Sequence, residues 1–305
     1  MPQLALLLST LIWGATFPAT KAALAEILPF SFLFLRFLLG TVLTLAIVLA
    51  AGVRLRLDRG MLRMSAIATV FLFVGYATQT VGLRYTTASN SAFITALYVV
   101  FVPLFLGRFH IRTWASAGLA VLGLWFLVDP TVSLNLGDLL TLVCAAAFAT
   151  HICCLEAYTR RGDSVSLFGW QLVFVTIAML PAMGIESPET VRFPPTATLM
   201  IALIVTGVLA TGAFAVQMWA QRVVPAQRVA LIFSLEPAFA AWLAWYFLGE
   251  QLDQGGWLGS GLILIALLTE CVGQEGEGVA AQAGSPTVIT EGQEAWHKSS
   301  ATPDG

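Results

Sequence analysis

Long apolar segments separated by short polar stretches run along most of the chain. A helix rises 1.5 Å per residue, so about 20 apolar residues cross the ~30 Å hydrocarbon core of a bilayer. The pattern predicts ten spanning helices, at residues 3–21, 29–51, 62–83, 87–107, 112–129, 136–158, 165–185, 196–220, 227–249 and 255–273. The sequence therefore indicates an all-α integral membrane protein.

Composition agrees with this pattern. Of the 305 residues, 58% are hydrophobic and only 10% are charged, whereas a soluble domain carries about 25% charged residues. The formal net charge of −2 and the scattering of basic residues through short loops argue against a nucleic-acid-binding protein. The four cysteines lie in or beside apolar segments and are interpreted as small buried hydrophobic side chains.

Basic residues in the loops indicate how the chain is oriented. Under the ten-helix prediction, ten arginines fall on one side of the membrane, and Lys21, Arg84 and Arg192 fall on the other. Cytoplasmic loops carry the excess of Lys and Arg in multi-pass proteins. We therefore expect a multi-pass protein of the plasma (inner) membrane with both termini in the cytoplasm. The polar segment 274–305 is predicted to be a disordered cytoplasmic tail.

Weak internal similarity divides the chain into two halves. The shift that aligns them is 135 residues early in each half and 138 residues later, and the matched pairs are Ser31 with Ser166, Arg36 with Gln171, Gln79 with Gln217, and Tyr98 with Glu236. An odd number of spans in each half forces the second copy to cross the membrane in the opposite direction. We predict two inverted five-helix repeats, at 1–134 and 135–273.

Several motifs resemble the EamA-like members of the drug/metabolite transporter superfamily. The motifs are Trp13 to Phe17, Arg36 with Phe37, Tyr85 to Leu104, and Ser234 to Leu252 followed by Trp257 and a glycine-rich last helix. The resemblance implies ten helices and small-molecule transport without ATP-binding domains, commonly the export of amino acids, metabolites or toxic compounds. No cofactor is expected.

Two isolated charges, Arg36 and Glu236, lie inside predicted spans. An acidic residue at a helix centre costs roughly 2.5–3.5 kcal/mol on insertion scales, so it usually faces a partner or a watery cavity. One interpretation is a substrate clamp, in which Arg36 binds the carboxylate and Glu236 binds the ammonium group of a zwitterion. The alternatives are an ion pair that locks helices together and, for Glu236, a carboxyl group that carries protons.

Four further residues are candidates for substrate contact, namely Tyr98, Gln79, Gln217 and Trp13. Tyr98 is the strongest of them because it matches Glu236 in the repeat and its hydroxyl needs a partner. For each of the four, the alternative is packing or hydrogen bonding between helices.

Prolines inside spans remove a backbone donor and free a carbonyl group. Pro18, Pro103 and Pro237 are therefore candidate hinges, with static bends as the alternative. His151 and Cys154 lie one helical turn apart, but too few ligands accompany them for a zinc site. No metal site and no catalytic site are predicted.

Together these features favour a secondary transporter or facilitator that moves small metabolites by alternating access, with export as the expected direction. An integral membrane enzyme is the first alternative, although no nucleophile constellation or P-loop is visible. A channel or a non-transporting scaffold is the second. The expected partners are a small-molecule substrate and the lipid bilayer, with no nucleic acid, and a homodimer is left open.

Overall fold

The computed structural model describes residues 1–107, 111–127, 135–160, 163–186 and 195–248, with short helical pieces between 254 and 266. Within these residues every regular element is a helix. Most of the tenth predicted span and the whole predicted tail lie outside the described residues.

Residues 1–134 contain six described helices: α1 (Pro2–Ala23), α2 (Pro29–Ala50), α3 (Arg59–Gly82), α4 (Ala88–Thr95), α5 (Tyr98–Phe105) and α6 (Ile111–Leu127). The following residues form α7 (Leu136–Thr159), α8 (Ser164–Ile185), α9 (Ala197–Leu203), α10 (Ala210–Ala220), α11 (Ala226–Phe233) and α12 (Glu236–Leu248), and a π-helical segment, Ile204–Leu209, joins α9 to α10. Eight helical stretches are long and apolar enough to cross a membrane when α4–α5, α9–α10 and α11–α12 each count as one. The protein is thus a multi-pass membrane protein.

The nine predicted spans that fall on described residues agree with these helices to within about three residues at each end. Three of the spans are interrupted in a way that hydropathy did not indicate. The fourth span breaks at Ala96 and Leu97, the ninth breaks at Ser234 and Leu235, and the eighth contains the π-helical segment. The residues around all three interruptions are mostly apolar, so the hydropathy of each span stays high across its interruption.

Polar residues just before the helices define where several of them begin. Asp58 accepts a hydrogen bond from the Met61 N–H at 2.9 Å at the start of α3, and this bond lowers the pKa of the Asp58 carboxyl below its usual value. Asn135 and Asp138 form a reciprocal capping box at the start of α7. Such caps satisfy N–H groups that have no partner inside the helix.

Contacts between helix ends form two groups. The first, called the Lys21 group, joins the α1–α2, α3–α4 and α8–α9 loops to the start of α7. Its hydrogen-bonded pairs are Lys21 with Thr86, Thr86 with Asp138, Glu26 with Thr196, and Glu186 with Ser31. The second, called the Glu156 group, joins the α2–α3, α7–α8 and α10–α11 loops. Its hydrogen-bonded pairs are Arg56 with Ser166, Trp170 with Arg56, and Glu156 with Ala226. Helices α2, α3, α7, α8 and the combined α9–α10 stretch each run from one group to the other, so α2 and α3 run in opposite directions, as do α7 and α8.

Helix lengths recur between the two parts of the chain. Helices α2 and α8 each contain 22 residues, α3 and the combined α9–α10 stretch each contain 24, and α4 and α11 each contain 8. Packing recurs as well, because α7 lies along α3 while α1 lies along α9, α10 and the π-helical segment. One difference is that α5 has 8 residues and α12 has 13.

Candidate functional site

The two helix breaks place Tyr98 and Glu236 at equivalent positions, as the first residues of α5 and α12. Each break is a tight turn, in which the Leu97 N–H bonds to the Ile94 carbonyl and the Leu235 N–H bonds to the Ile232 carbonyl, both at 3.2 Å. These bonds span three residues rather than the four of an α-helix, so the axis of the span is interrupted at this point.

Tyr98 and Glu236 are joined directly. The Tyr98 hydroxyl donates a hydrogen bond to the Glu236 Oε2 atom at 2.8 Å, and both side chains are buried. The Phe233 ring packs edge-on against both Tyr98 and Trp13, with ring centroids 6.4 and 4.7 Å away. A buried carboxylate needs such a donor because an unsatisfied charge in this environment is costly.

A cavity of about 50 Å³ surrounds this pair. Its aromatic lining consists of Trp13, Phe17, Tyr76, Tyr98, Phe148, Phe214 and Phe233. Its polar lining consists of Thr16, Gln79, Thr95, His151, Gln217 and Glu236. The space suffices for a few water molecules and is well below the roughly 300–1,000 Å³ of typical small-molecule sites, so the cavity in this structure is narrow.

Gln79 and Gln217 both line the cavity, and each also donates to a neighbouring side chain. The Gln79 amide donates to the Thr95 hydroxyl at 3.1 Å. The Gln217 amide donates to Gln221 at 2.8 Å, and Gln221 in turn donates to the Ile152 carbonyl at 2.9 Å. The hydrogen bond of Gln79 joins α3 to α4, whereas Gln217 bonds to the end of its own helix and reaches α7 only through Gln221.

Trp13 reaches across to the second part of the chain. Its indole N–H donates to the carbonyl of Ala210 at 3.3 Å, the residue that follows the π-helical segment. Its ring also lines the cavity. Trp13 thus connects α1 to the start of α10 beside the site.

Arg36 lies one layer behind the cavity and is not among its lining residues. Its guanidinium carbon lies 4.4 Å from the centroid of the Tyr76 ring and 4.9 Å from that of Phe37. The side chain is buried, and its Nε atom has no hydrogen-bond partner. Within the described part of the chain, no ion pair joins Arg36 to Glu236. The ion pair considered as one alternative is therefore absent between these two residues, and of the two charges only Glu236 lines the cavity.

Sequence reasoning missed several lining residues, above all His151 and Tyr76. The His151 Nε2 atom lies 2.9 Å from Oε1 of Gln171, the residue that matches Arg36 in the repeat. Tyr76 matches Phe214 at the same shift that pairs Tyr98 with Glu236, so the repeat alignment contained a signal for both rings. No group of three or more possible metal ligands occurs among the residues that were described.

The candidate hinge prolines differ in their surroundings. Pro18 and Pro103 lie inside the continuous helices α1 and α5, whereas Pro237 is the second residue of α12, directly after a break. A proline in the first helical turn removes no intrahelical hydrogen bond. The equivalent break before Tyr98 has no following proline, so proline is not the common cause of the two breaks.

Comparison with known proteins gives a consistent result. The model of the family described as "EamA-like transporter family" matches residues 1–129 and again 135–269. An "Uncharacterized transporter" of Archaeoglobus fulgidus is 33% identical over 87% of this chain and 84% of its own. The Bacillus subtilis "Uncharacterized transporter YoaV" is 24% identical over 83% of this chain and 91% of its own. A solved crystal structure matches with a TM-score of 0.70 at 16% identity, covering 88% of this chain and 97% of the other, which shows the fold alone.

Proposed function

This chain belongs to the EamA-like transporter family, and we propose that it is a secondary transporter that moves small molecules by alternating access. The observation that carries the proposal is the buried Tyr98–Glu236 pair in a narrow cavity, where two broken helices meet. Broken helices around a buried charged site are typical of secondary transporters. The proposed direction is export across the plasma membrane, with both termini in the cytoplasm.

Two inverted repeats are part of this proposal. Under a two-fold relation, equivalent residues can touch only if they lie close to the axis. Thr41 and Thr176 are 135 residues apart, and their hydroxyl oxygens lie 2.8 Å apart. Tyr98 and Glu236 are 138 residues apart and share a hydrogen bond. These two pairs would mark the axis, one between α2 and α8 and the other between α5 and α12. The two separate family matches support the same division.

Alternating access requires that one end of the path opens while the other stays closed. In this structure, the Lys21 group joins the helices at one end and the Glu156 group joins them at the other. In the Lys21 group, the Lys21 ammonium donates to the Thr86 carbonyl at 2.8 Å. In the Glu156 group, the Glu156 carboxylate accepts from the Ala226 N–H at 3.0 Å and pairs with Arg160 at 3.2 Å. We propose that each group separates in turn, with movement at the breaks in the fourth and ninth spans.

The inverted arrangement can be tested at two equivalent surface positions. Tyr85 and Val223 match at the 138-residue shift and are 53% and 66% exposed, so a cysteine at either position is accessible to reagent. In a background without native cysteines, a membrane-impermeant maleimide should label Tyr85→Cys and Val223→Cys from opposite sides of the membrane. Labelling from the same side contradicts the inverted repeat.

Transport itself is tested by counterflow in proteoliposomes loaded with a panel of metabolites. Saturable exchange of labelled solute supports a carrier. Chemical turnover of the solute would identify the membrane enzyme considered as the alternative, and the absence of both exchange and turnover across the panel would favour the scaffold.

A further inference from the structure

We propose that the transported molecule is a small organic cation, with an ammonium group that binds Glu236 and an apolar body that packs on the aromatic walls of the cavity. This inference rests on the proposed transport function and assigns its substrate class. It differs from the zwitterion considered from the sequence alone, because Glu236 lines the cavity and Arg36 does not.

The charges around the cavity carry the first part of the argument. Glu236 is the carboxylate of the lining, and none of the described lining residues is a lysine or an arginine. Arg36 is not a lining residue, and its guanidinium carbon lies over the Tyr76 ring, 4.4 Å from the centroid. The His151 Nε2 atom is engaged with Gln171. A zwitterion would therefore bury its carboxylate without a cationic partner, which opposes its binding.

The walls of the cavity carry the second part. Rings of Trp13, Tyr76, Tyr98, Phe148 and Phe233 surround the carboxylate. The face of an aromatic ring attracts a cation that lies within about 6 Å of the ring centroid, and aromatic cages are a known means of binding ammonium groups. Tyr76 already makes this interaction with Arg36. An apolar cation therefore finds both its charge and its body complemented.

The Tyr98 hydroxyl supplies the third part of the argument. It donates to the carboxylate oxygen that a bound ammonium group would also contact. It donates to Glu236 at 2.8 Å, which is the distance expected for an ammonium N–H bound to a carboxylate. In the narrow cavity the phenol thus substitutes for the cation at Oε2. A cation that binds this oxygen displaces the hydroxyl, and the displaced hydrogen bond lowers the apparent affinity.

The test uses four probes that share one phenyl body and differ in charge: phenethylammonium, phenylalanine, 3-phenylpropionate and 3-phenylpropanol. Each labelled probe is equilibrated by dialysis with the full-length protein in nanodiscs. Phenethylammonium should bind about tenfold or more tightly than phenylalanine, and 3-phenylpropionate should bind most weakly. Equal or tighter binding of phenylalanine overturns the inference, and so does a lack of phenethylammonium binding in the millimolar range.

Two substitutions make the test specific to the site. Glu236→Gln should weaken phenethylammonium binding about tenfold or more and leave 3-phenylpropanol binding unchanged. Tyr98→Phe should instead tighten phenethylammonium binding, by about tenfold, because a hydrogen bond to a charged group no longer has to be displaced. The control is Tyr246→Phe, since Tyr246 is 68% exposed and lies outside the cavity. Unchanged or weaker binding in Tyr98→Phe contradicts the displacement, even if Glu236→Gln fails to fold.

The test of the cationic substrate class and the tests of the transport function can fail separately. If Tyr85→Cys and Val223→Cys are labelled from opposite sides and counterflow is observed only for zwitterions, the transporter stands and the cationic substrate class falls. If neither labelling nor counterflow supports transport, the proposed function fails first.

Discussion

The Tyr98 hydroxyl donates a hydrogen bond to the Glu236 carboxylate at 2.8 Å, and the two residues begin the second helices of two broken spans. In the proposed inverted arrangement this contact lies on the two-fold axis, at equal distance from the two ends of the path. One carboxylate can then serve both orientations of the transporter. The two matched residues differ in chemistry: Glu236 in α12 carries the charge, and Tyr98 in α5 is the hydrogen-bond donor.

Replacing Glu236 with glutamine should abolish transport, or reduce it at least about tenfold, because the change removes the charge and keeps the shape of the side chain. Counterflow in proteoliposomes measures the effect, and size-exclusion chromatography checks that the variant is inserted and folded. Asp58→Asn is the matched control, since Asp58 lies in a loop and asparagine also caps helices. Wild-type flux in Glu236→Gln would exclude a central role for the carboxylate.

Replacing Arg36 with alanine should lower stability, because the change removes stacking on Tyr76 and Phe37 and leaves a gap. Each cation–π contact contributes roughly 0.5–2 kcal/mol, so a fall in the melting temperature is expected in detergent. Arg36→Met, which keeps most of the volume, should be milder. Transport of charged and neutral solutes should fall to the same extent in Arg36→Ala. A selective loss of zwitterion transport would instead restore the substrate clamp.

Replacing Gly14 with alanine should disrupt the packing of α1 on α12. The added Cβ would lie 2.8 Å from the Phe239 Cβ, 3.0 Å from the Glu236 carbonyl oxygen and 3.1 Å from the Ala240 nitrogen. Overpacking of this kind costs typically 1–3 kcal/mol, and backbone atoms beside Glu236 would have to move.

The control for this change is Gly212→Ala in α10, where an added Cβ has nothing within 4 Å. Because alanine is the better helix former by about 1 kcal/mol, Gly212→Ala should be neutral or stabilising. Thermal unfolding followed by fluorescence distinguishes the two variants. Equal melting temperatures would show that α1 and α12 can separate without cost.

Replacing Glu186 with alanine should loosen the end of α8 from the start of α2. The Glu186 carboxylate accepts hydrogen bonds from the Phe30 N–H at 2.7 Å, the Ser31 N–H at 3.0 Å and the Ser31 hydroxyl at 2.8 Å. Hydrogen bonds to a charged group contribute about 1.5–3 kcal/mol.

A double-mutant cycle with Ser31→Ala measures this link, and a coupling energy above about 0.5 kcal/mol is expected for contacting residues. Asp163→Ala is the comparison, because Asp163 caps its own helix at the matched Ser166 and bridges no distant segments by that contact. A coupling energy near zero for Glu186 and Ser31 would argue against a link that holds the helix ends together.

Hydropathy determined the spans, because the transfer of an apolar segment into lipid depends on that segment and not on its neighbours. The 138-residue repeat shift in the sequence also pairs Tyr98 with Glu236, the two residues that are hydrogen-bonded in the structure. By contrast, the sequence placed Arg36 with Glu236 only through their rarity. In the structure Glu236 lines the cavity and Arg36 does not, and Arg36 contacts the ring of Tyr76, which is itself a lining residue.

The helix breaks, the π-helical segment and the cavity lining were decided by tertiary structure. In a soluble helix, the polar face shows which side is buried. In lipid, the outer face is as apolar as the packed face, so the sequence of a span does not reveal which residues turn inward. His151 and Phe148 face the cavity only because neighbouring helices approach closely there, as at Gly75, where an added Cβ would lie 2.3 Å from the Phe148 ring. The sequence alone thus predicted which apolar stretches are long enough to cross a membrane, and packing between helices decided what each stretch presents to the site.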